Sequence, residues 1–276
     1  MNKNKKTVWI FFAVMGLTGL ALGLSDGVFA NYFKDTYNVD AFQRGIIEIP
    51  RESPGIICLF IITALSFLGD VRLAIGAHIL SVIGLIVLGL FTPAFGVMLV
   101  FLFINSLGMH MFMPLGDSIG LNLAGKQGSI GTMMGRFNGV RTAFSMTAGI
   151  LVFVGFRTGF FSFTSPVKII FLIAAFLLIV ILVLLVILQR TDGEIGKSKK
   201  VRFVVRKEYS TYYLIAVLFG ARKQIMYVYG PWVLIELLGF GADRMAILGI
   251  AGAAVGIFFI PAVGRWIDKY CRLTIY

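Results

Sequence analysis

The sequence predicts an all-α protein that crosses a lipid bilayer several times. Of its 276 residues, 58% are hydrophobic and only 14% are charged, whereas about a quarter of a typical soluble domain is charged. The mean hydropathy is +0.92. The apolar residues form long continuous runs rather than the short alternating segments of an outer-membrane barrel. This composition excludes a soluble enzyme, and a content of two cysteines excludes a disulfide-stabilised secreted domain.

Eight hydrophobic segments are long enough to cross the hydrocarbon core as helices, which takes about 20 residues each. They cover residues 7–33, 45–69, 74–91, 95–123, 135–156, 166–188, 209–238 and 242–266. The sequence Thr92-Pro93-Ala94 predicts a tight hairpin between the third and fourth segments. The polar, basic segment 189–208 divides the chain into a six-helix part (1–188) and a part with two helices (209–276). We interpret segment 189–208 as a solvated cytoplasmic linker.

The distribution of Lys and Arg predicts the orientation. With the N-terminus in the cytoplasm, 17 of the 25 basic residues fall on the cytoplasmic side and 5 outside, in agreement with the positive-inside rule. The other three, Arg51, Arg222 and Lys223, fall inside hydrophobic segments. We therefore expect a multi-pass protein of the cell (plasma or inner) membrane with the lipid bilayer as its partner. Because the positive charge follows the topology, it does not indicate nucleic-acid binding.

Two short sequences, six helices apart, have the same pattern of an Asp at a helix end followed by basic residues. The first, after the second segment, contains Asp70 and Arg72. The second, after the eighth segment, contains Gly264, Asp268, Lys269 and Arg272. Helices seven and eight therefore repeat helices one and two.

These sequences resemble the loop motif of the major facilitator superfamily, G-x-x-x-D-[RK]-x-G-[RK], which follows helix two and recurs after helix eight. The second copy matches except for Cys271 in the place of a Gly, and the first keeps Asp70 and Arg72. Segments 44–55 and 220–224 also resemble an uncharacterised bacterial branch of this family. The resemblance implies secondary transport by alternating access, a cytoplasmic gate at the motif residues, and a monomer when full length. Since the family has twelve helices, we expect a product truncated after eight.

Ionisable groups inside hydrocarbon cost several kcal/mol, so each one needs a reason. Arg222 would lie about 20 Å into a helix that begins at residue 209, and it is followed by Lys223, Gln224 and Tyr227. Gly230-Pro231 can break that helix. We interpret these four side chains as a binding site for an anionic or polyhydroxylated group. The alternative is a structural pair with an acid on another helix.

Acidic residues in the first two segments are candidates for proton coupling. Glu48 and Glu52 share a helix face, and Arg51 lies three residues after Glu48. The alternative is a charge cluster at the outer end of the helix. Asp26 lies beside the stripe of Gly19, Gly23 and Gly27, which predicts a close helix contact. Asp26 either binds a proton or cation, or pairs with Arg51.

The fourth segment contains three further polar residues. Asn105 is predicted near the midplane and His110 shares a face with Asp117, with Pro114 between them expected to kink the helix. We expect Asn105 and His110 at the substrate site, although a lone His among methionines is more often structural. Asp117, near the cytoplasmic end, is placed to pair with Arg136 or Arg141 as a gate.

Several motifs are absent from the sequence. It has no Walker A sequence, no HExxH and no serine in a nucleophile elbow, so we expect no ATP drive, no enzyme, no metal and no cofactor. The predicted function is a proton-coupled secondary transporter, a symporter, of a small polar or anionic solute. One alternative is a multidrug/proton antiporter, which the resemblance disfavours, because drug-exporting members of that family usually carry an Arg in helix four and this chain has none there. The others are a membrane-embedded enzyme, and a non-transporting helical protein or inactive transporter fragment.

Overall fold

The protein is a bundle of helices. The computed structural model describes residues 3–126, 129–191, 193 and 206–270. This part of the chain contains nine α-helices and no strand: α1 (Lys3–Ser25), α2 (Phe29–Tyr37), α3 (Ala41–Ala64), α4 (Asp70–Leu90), α5 (Phe95–Gly125), α6 (Ile130–Arg157), α7 (Ile169–Thr191), α8 (Ser210–Leu238) and α9 (Ala242–Tyr270). Helices α1 and α2 belong to one apolar segment and are separated by a short 3₁₀ turn, Asp26–Val28. The predicted all-α polytopic fold is confirmed.

Six helical segments among the described residues are long and apolar enough to cross a membrane. They are Lys5–Tyr37, Asp70–Leu90, Phe95–Gly125, Ile130–Arg157, Ile169–Thr191 and Ala242–Trp266. The other two predicted spans also form long helices, with 24 residues in α3 and 29 in α8. Both carry charged residues within their sequences. The chain is therefore a multi-pass membrane protein.

A capping box starts α3 four residues before the predicted position. Asp40 accepts a hydrogen bond from the Gln43 backbone N–H at 2.7 Å, and the Gln43 side chain accepts one from the Asp40 N–H at 3.1 Å. These two bonds satisfy backbone donors that the first turn of a helix leaves without partners. The earlier start brings Arg44 into the helix.

Small residues bring α1 against α6. Gly19 lies against the backbone carbonyl of Arg141, and a Cβ on Gly23 would come within 2.5 Å of the Ala148 Cβ. Gly27, in the 3₁₀ turn, has nothing within 4 Å of its Cβ position. The predicted close contact is therefore confirmed for two of the three glycines, and it fixes α1 to α6.

Helices α6 and α9 also pack closely through small residues. A Cβ on Gly139 would lie 2.7 Å from Pro261 Cγ, and a Cβ on Gly135 would lie 3.2 Å from the Cα of Gly264. The sequence motif had placed Gly264 in a loop, but Gly264 lies inside α9. Because Gly264 has no side chain, α9 can approach α6 closely at this position.

A hydrogen bond and an ion pair connect α2 to its neighbours, the α4–α5 hairpin and α8. Helix α4 ends at Leu90 and α5 begins at Phe95, which confirms the predicted hairpin. The Tyr37 hydroxyl donates to the Pro93 carbonyl at 2.9 Å. Helix α2 also contacts α8 through an ion pair of 2.7 Å between Lys34 and Glu236.

Lys168 is a buried cation immediately before α7. Its side chain is 1% exposed, and its Nζ donates to Thr92 Oγ1 at 2.6 Å and to the Ser165 carbonyl at 2.8 Å. Its backbone N–H donates to the Gly89 carbonyl at 2.7 Å. Burial lowers the pKa of Lys168. The residue ties the loop before α7 to the α4–α5 hairpin.

Replacing Lys168 with Met should therefore destabilise the protein by about 2 kcal/mol, because the charge-assisted hydrogen bonds of its ammonium group to Thr92 Oγ1 and the Ser165 carbonyl would be lost. The midpoint of thermal unfolding in detergent should fall by several degrees. Lys207→Met is the matched control, since Lys207 is exposed. Equal midpoints for the two variants would contradict the anchoring role of Lys168.

Candidate binding cavity

A cavity of about 480 Å³, which we call the central cavity, lies between α2, α3, α5, α8 and α9. This volume is within the range of small-molecule sites. Its polar lining residues are Asp26, Asn31, Arg44, Arg51, Glu52, Asn105, Ser106, His110 and Tyr227. Six of them were predicted from the sequence as site residues: Asp26, Arg51, Glu52, Asn105, His110 and Tyr227. The side chains of Asp26 and Glu52 are 44% and 43% exposed, so the cavity is open to solvent.

The 3₁₀ turn between α1 and α2 forms part of the cavity wall. Asp26 and Gly27, both in the turn, line the cavity, as does Asn31 one turn later. Ser25, the last residue of α1, donates its hydroxyl proton to the Ala21 carbonyl at 2.8 Å. An interruption of this kind in a membrane helix is typical of binding sites in transporters.

A chain of ion pairs runs along α3 and across to the turn. Arg51 Nη2 lies 3.0 Å from Asp26 Oδ1, and Arg51 Nη1 lies 2.9 Å from Glu48 Oε1. The same Glu48 oxygen pairs with Arg44 Nη1. The structure therefore has Asp26 paired with Arg51, which was one of the two readings of Asp26. Glu48 is shared by two guanidinium groups.

Arg44 is a cavity residue that the sequence argument missed. It was counted among the outer basic residues, but its side chain is only 2% exposed. Its guanidinium carbon lies 5.7 Å from the centre of the Phe33 ring. The spacing of four residues between Arg44 and Glu48 is the signal that could have identified it.

Glu52 faces His110 from the neighbouring helix. His110 Nε2 lies 3.8 Å from Glu52 Oε2, and His110 Nδ1 lies 2.9 Å from the Ser106 carbonyl. Because a carbonyl only accepts, Nδ1 carries a proton, and Nε2 is the ring nitrogen that faces Glu52. A proton on Nε2 would make the ring and the carboxylate attract each other. Both residues lie on the cavity wall.

The neighbouring Ser106 does not form a catalytic pair with His110. The two side chains are close, with 3.0 Å between Ser106 Oγ and His110 Nδ1. However, the Ser106 hydroxyl donates to the Arg51 carbonyl, and the protonated Nδ1 has no lone pair to accept its hydrogen. A nucleophilic serine needs a base that accepts its proton, and this geometry provides none.

Helix α8 contributes less to the cavity than the sequence suggested. It runs through Gly230-Pro231 without a break, and Tyr227 lines the cavity. Arg222 is exposed and does not line the cavity, and its guanidinium carbon lies 4.9 Å from the centre of the Phe219 ring. The side chains of Lys223 and Gln224 are outside the described residues. The depth of Arg222 along the helix was inferred from residue count, which does not give its direction around the axis.

The predicted gate residues lie in separate places. Asp70 is the first residue of α4, where its negative charge interacts favourably with the helix dipole. It also accepts a hydrogen bond of 2.6 Å from Ser118 on α5. Arg72 is exposed. Asp117 and Arg141 line a second, smaller cavity together with His78. Lys269 lies near the end of α9, whereas the Asp268 side chain and Arg272 are outside the described residues.

No protein-family model, curated protein or solved structure matches the chain. A function is therefore inferred from the helices, the cavity and the charges that line it.

Proposed function

We propose that the protein is a secondary transporter of the major facilitator type, which binds a small polar solute in the central cavity and moves it by alternating access. The observation that supports this proposal is the cavity itself. Charged and polar side chains from several helices meet inside an otherwise apolar bundle. Ionisable groups at such a position are costly and are kept where they bind substrates or ions.

Glu52 and His110 are the best-placed pair to carry a coupling proton. Asp26 and Glu48 are both bonded to Arg51, so a proton on either of them would compete with an ion pair. Glu52 instead faces His110 Nε2 across 3.8 Å, and histidine is a common member of proton relays. A proton between the two groups would draw α3 toward α5. Its release would let the helices separate, which links proton binding to the shape of the cavity.

Alternating access can be tested without knowledge of the solute. We expect Cys introduced at Ala30, on the cavity wall, to react with a charged thiol reagent in both right-side-out and inside-out vesicles. The background would carry Ser at Cys58 and Cys271, so that only the introduced thiol reacts. Ala175→Cys is the control, because Ala175 is 2% exposed and its thiol should stay unlabelled. Reaction of the Ala30→Cys protein from one side only would contradict alternating access.

A further inference from the structure

Three buried polar atoms, which belong to residues that line the cavity, have no hydrogen-bond partner within the described part of the chain. They are Asn31 Oδ1, Arg44 Nε and Asn105 Oδ1. All three side chains belong to residues that are 2% exposed, and all three residues line the central cavity. Buried polar groups normally have partners. Three exceptions around one cavity indicate groups that a bound molecule would satisfy.

The contacts of the two amide nitrogens, Asn31 Nδ2 and Asn105 Nδ2, show which hydrogen-bonding groups a solute would have to provide. Asn31 Nδ2 donates to the Phe240 carbonyl at 3.1 Å, which fixes the amide with its oxygen as the free end. Asn105 Nδ2 lies 3.5 Å from the sulfur of Met109, a weak acceptor. The two amide oxygens require hydrogen-bond donors, whereas Arg44 Nε requires an acceptor. A hydroxyl group is both a donor and an acceptor.

The charges around the cavity do not favour an anion. Arg44 and Arg51 are both paired with Glu48, and Arg51 also pairs with Asp26. With Glu52, the three carboxylates outnumber the two arginines by one. Of the two cations that the sequence had assigned to an anionic or polyhydroxylated group, Arg222 is outside the cavity, and the side chain of Lys223 lies outside the described residues. Among the residues that the structure describes, a bound anion would meet no unpaired positive charge on this wall.

We propose that the cavity binds an uncharged polyhydroxylated solute of about the size of a monosaccharide. This assignment rests on the proposed function, because it takes the central cavity as the binding site. The hydroxyl groups of the solute donate to Asn31 and Asn105 and accept from Arg44. The volume of about 480 Å³ is sufficient for a six-carbon sugar or sugar alcohol with some water.

Equilibrium binding to the full chain in lipid nanodiscs tests the solute class. The uncharged probes are glucose, galactose, mannose, fructose, glucitol and inositol. The charged probes are gluconate and glucuronate, which have the same carbon skeletons as glucitol and glucose. We expect at least one uncharged probe to bind saturably below about 100 mM, a concentration that saturates even millimolar sites. Its charged analogue should bind at least tenfold more weakly.

Two variants locate the bound probe. Asn105→Leu and Asn31→Leu each remove an unpartnered oxygen, and each should weaken binding of the uncharged probe about tenfold. Asn122→Leu is the matched control, because Asn122 is an exposed residue of the same helix as Asn105 and is outside the cavity. Its affinity should equal that of the unmodified chain. Unchanged affinity in both cavity variants would overturn the proposed contacts.

The outcomes separate this assignment from the transport proposal. Binding of gluconate or glucuronate without any uncharged probe would overturn the solute class, and so would binding of no probe to folded protein. Two-sided labelling of Ala30→Cys would survive either result. One-sided labelling together with sugar binding would instead overturn alternating access and leave the solute class standing.

Discussion

Replacing Arg51 with Met is expected to destabilise the folded protein by about 3 kcal/mol. Removing one member of a buried ion pair costs about 3–5 kcal/mol, because its partner remains charged without compensation. The lower end applies here, since Asp26 is 44% exposed and Glu48 keeps its contact with Arg44. The measurement is the midpoint of thermal unfolding of the purified protein in detergent.

A double variant tests whether the loss comes from the unpaired carboxylate. Asp26→Asn combined with Arg51→Met leaves Glu48 with Arg44, so it should recover a large part of the lost stability. Arg72→Met is the control, because Arg72 is exposed on α4 and should change the midpoint little. If the double variant is less stable than Arg51→Met alone, the ion pair does not explain the effect.

Gly19→Leu should have a comparable or larger effect, with a loss of about 3 kcal/mol or more. Extra side-chain volume in a close-packed contact costs about 1–3 kcal/mol when neighbouring side chains can adjust. Gly19 instead meets the backbone carbonyl of Arg141, which can move only if α1 and α6 separate. The expected result is a lower unfolding midpoint and a lower yield of monodisperse protein.

Gly76→Leu is the control for this substitution. Gly76 is exposed on α4, with nothing within 4 Å of its Cβ position. Leu is a better helix former than Gly by somewhat less than about 1 kcal/mol, so this variant should be as stable as the unmodified chain or slightly more stable. Equal midpoints for Gly19→Leu and Gly76→Leu would show that the α1–α6 contact adapts.

Hydropathy was sufficient to locate the eight long segments, because each contains a largely apolar run, but it did not predict the 3₁₀ turn that divides the first one. It also identified Asp26, Glu52 and His110 as unusual, since charged or titratable residues are rare in such runs. It did not show that Glu52 lies beside His110, or choose between the two readings of Asp26. Those pairs join residues far apart in the chain, and their contact depends on how α1, α3 and α5 pack together.

Arg44 and Arg222 show the limit of counting residues along a helix. The count gives depth at about 1.5 Å per residue, so it marked Arg222 as deep and Arg44 as peripheral. Burial depends also on the direction around the helix axis and on where the helix begins. The capping box at Asp40 draws Arg44 into α3 beside Glu48, whereas Arg222 lies on an exposed part of α8.

The 3₁₀ turn divides the first transmembrane segment into two parts, α1 and α2, which have different neighbours. Below the turn, α1 is fixed to α6 through Gly19 and Gly23. Above it, α2 is attached to α8 by the Lys34–Glu236 ion pair. The 3₁₀ turn at Asp26, whose carboxylate pairs with Arg51, is therefore the joint between two parts of the segment that are held by different neighbours.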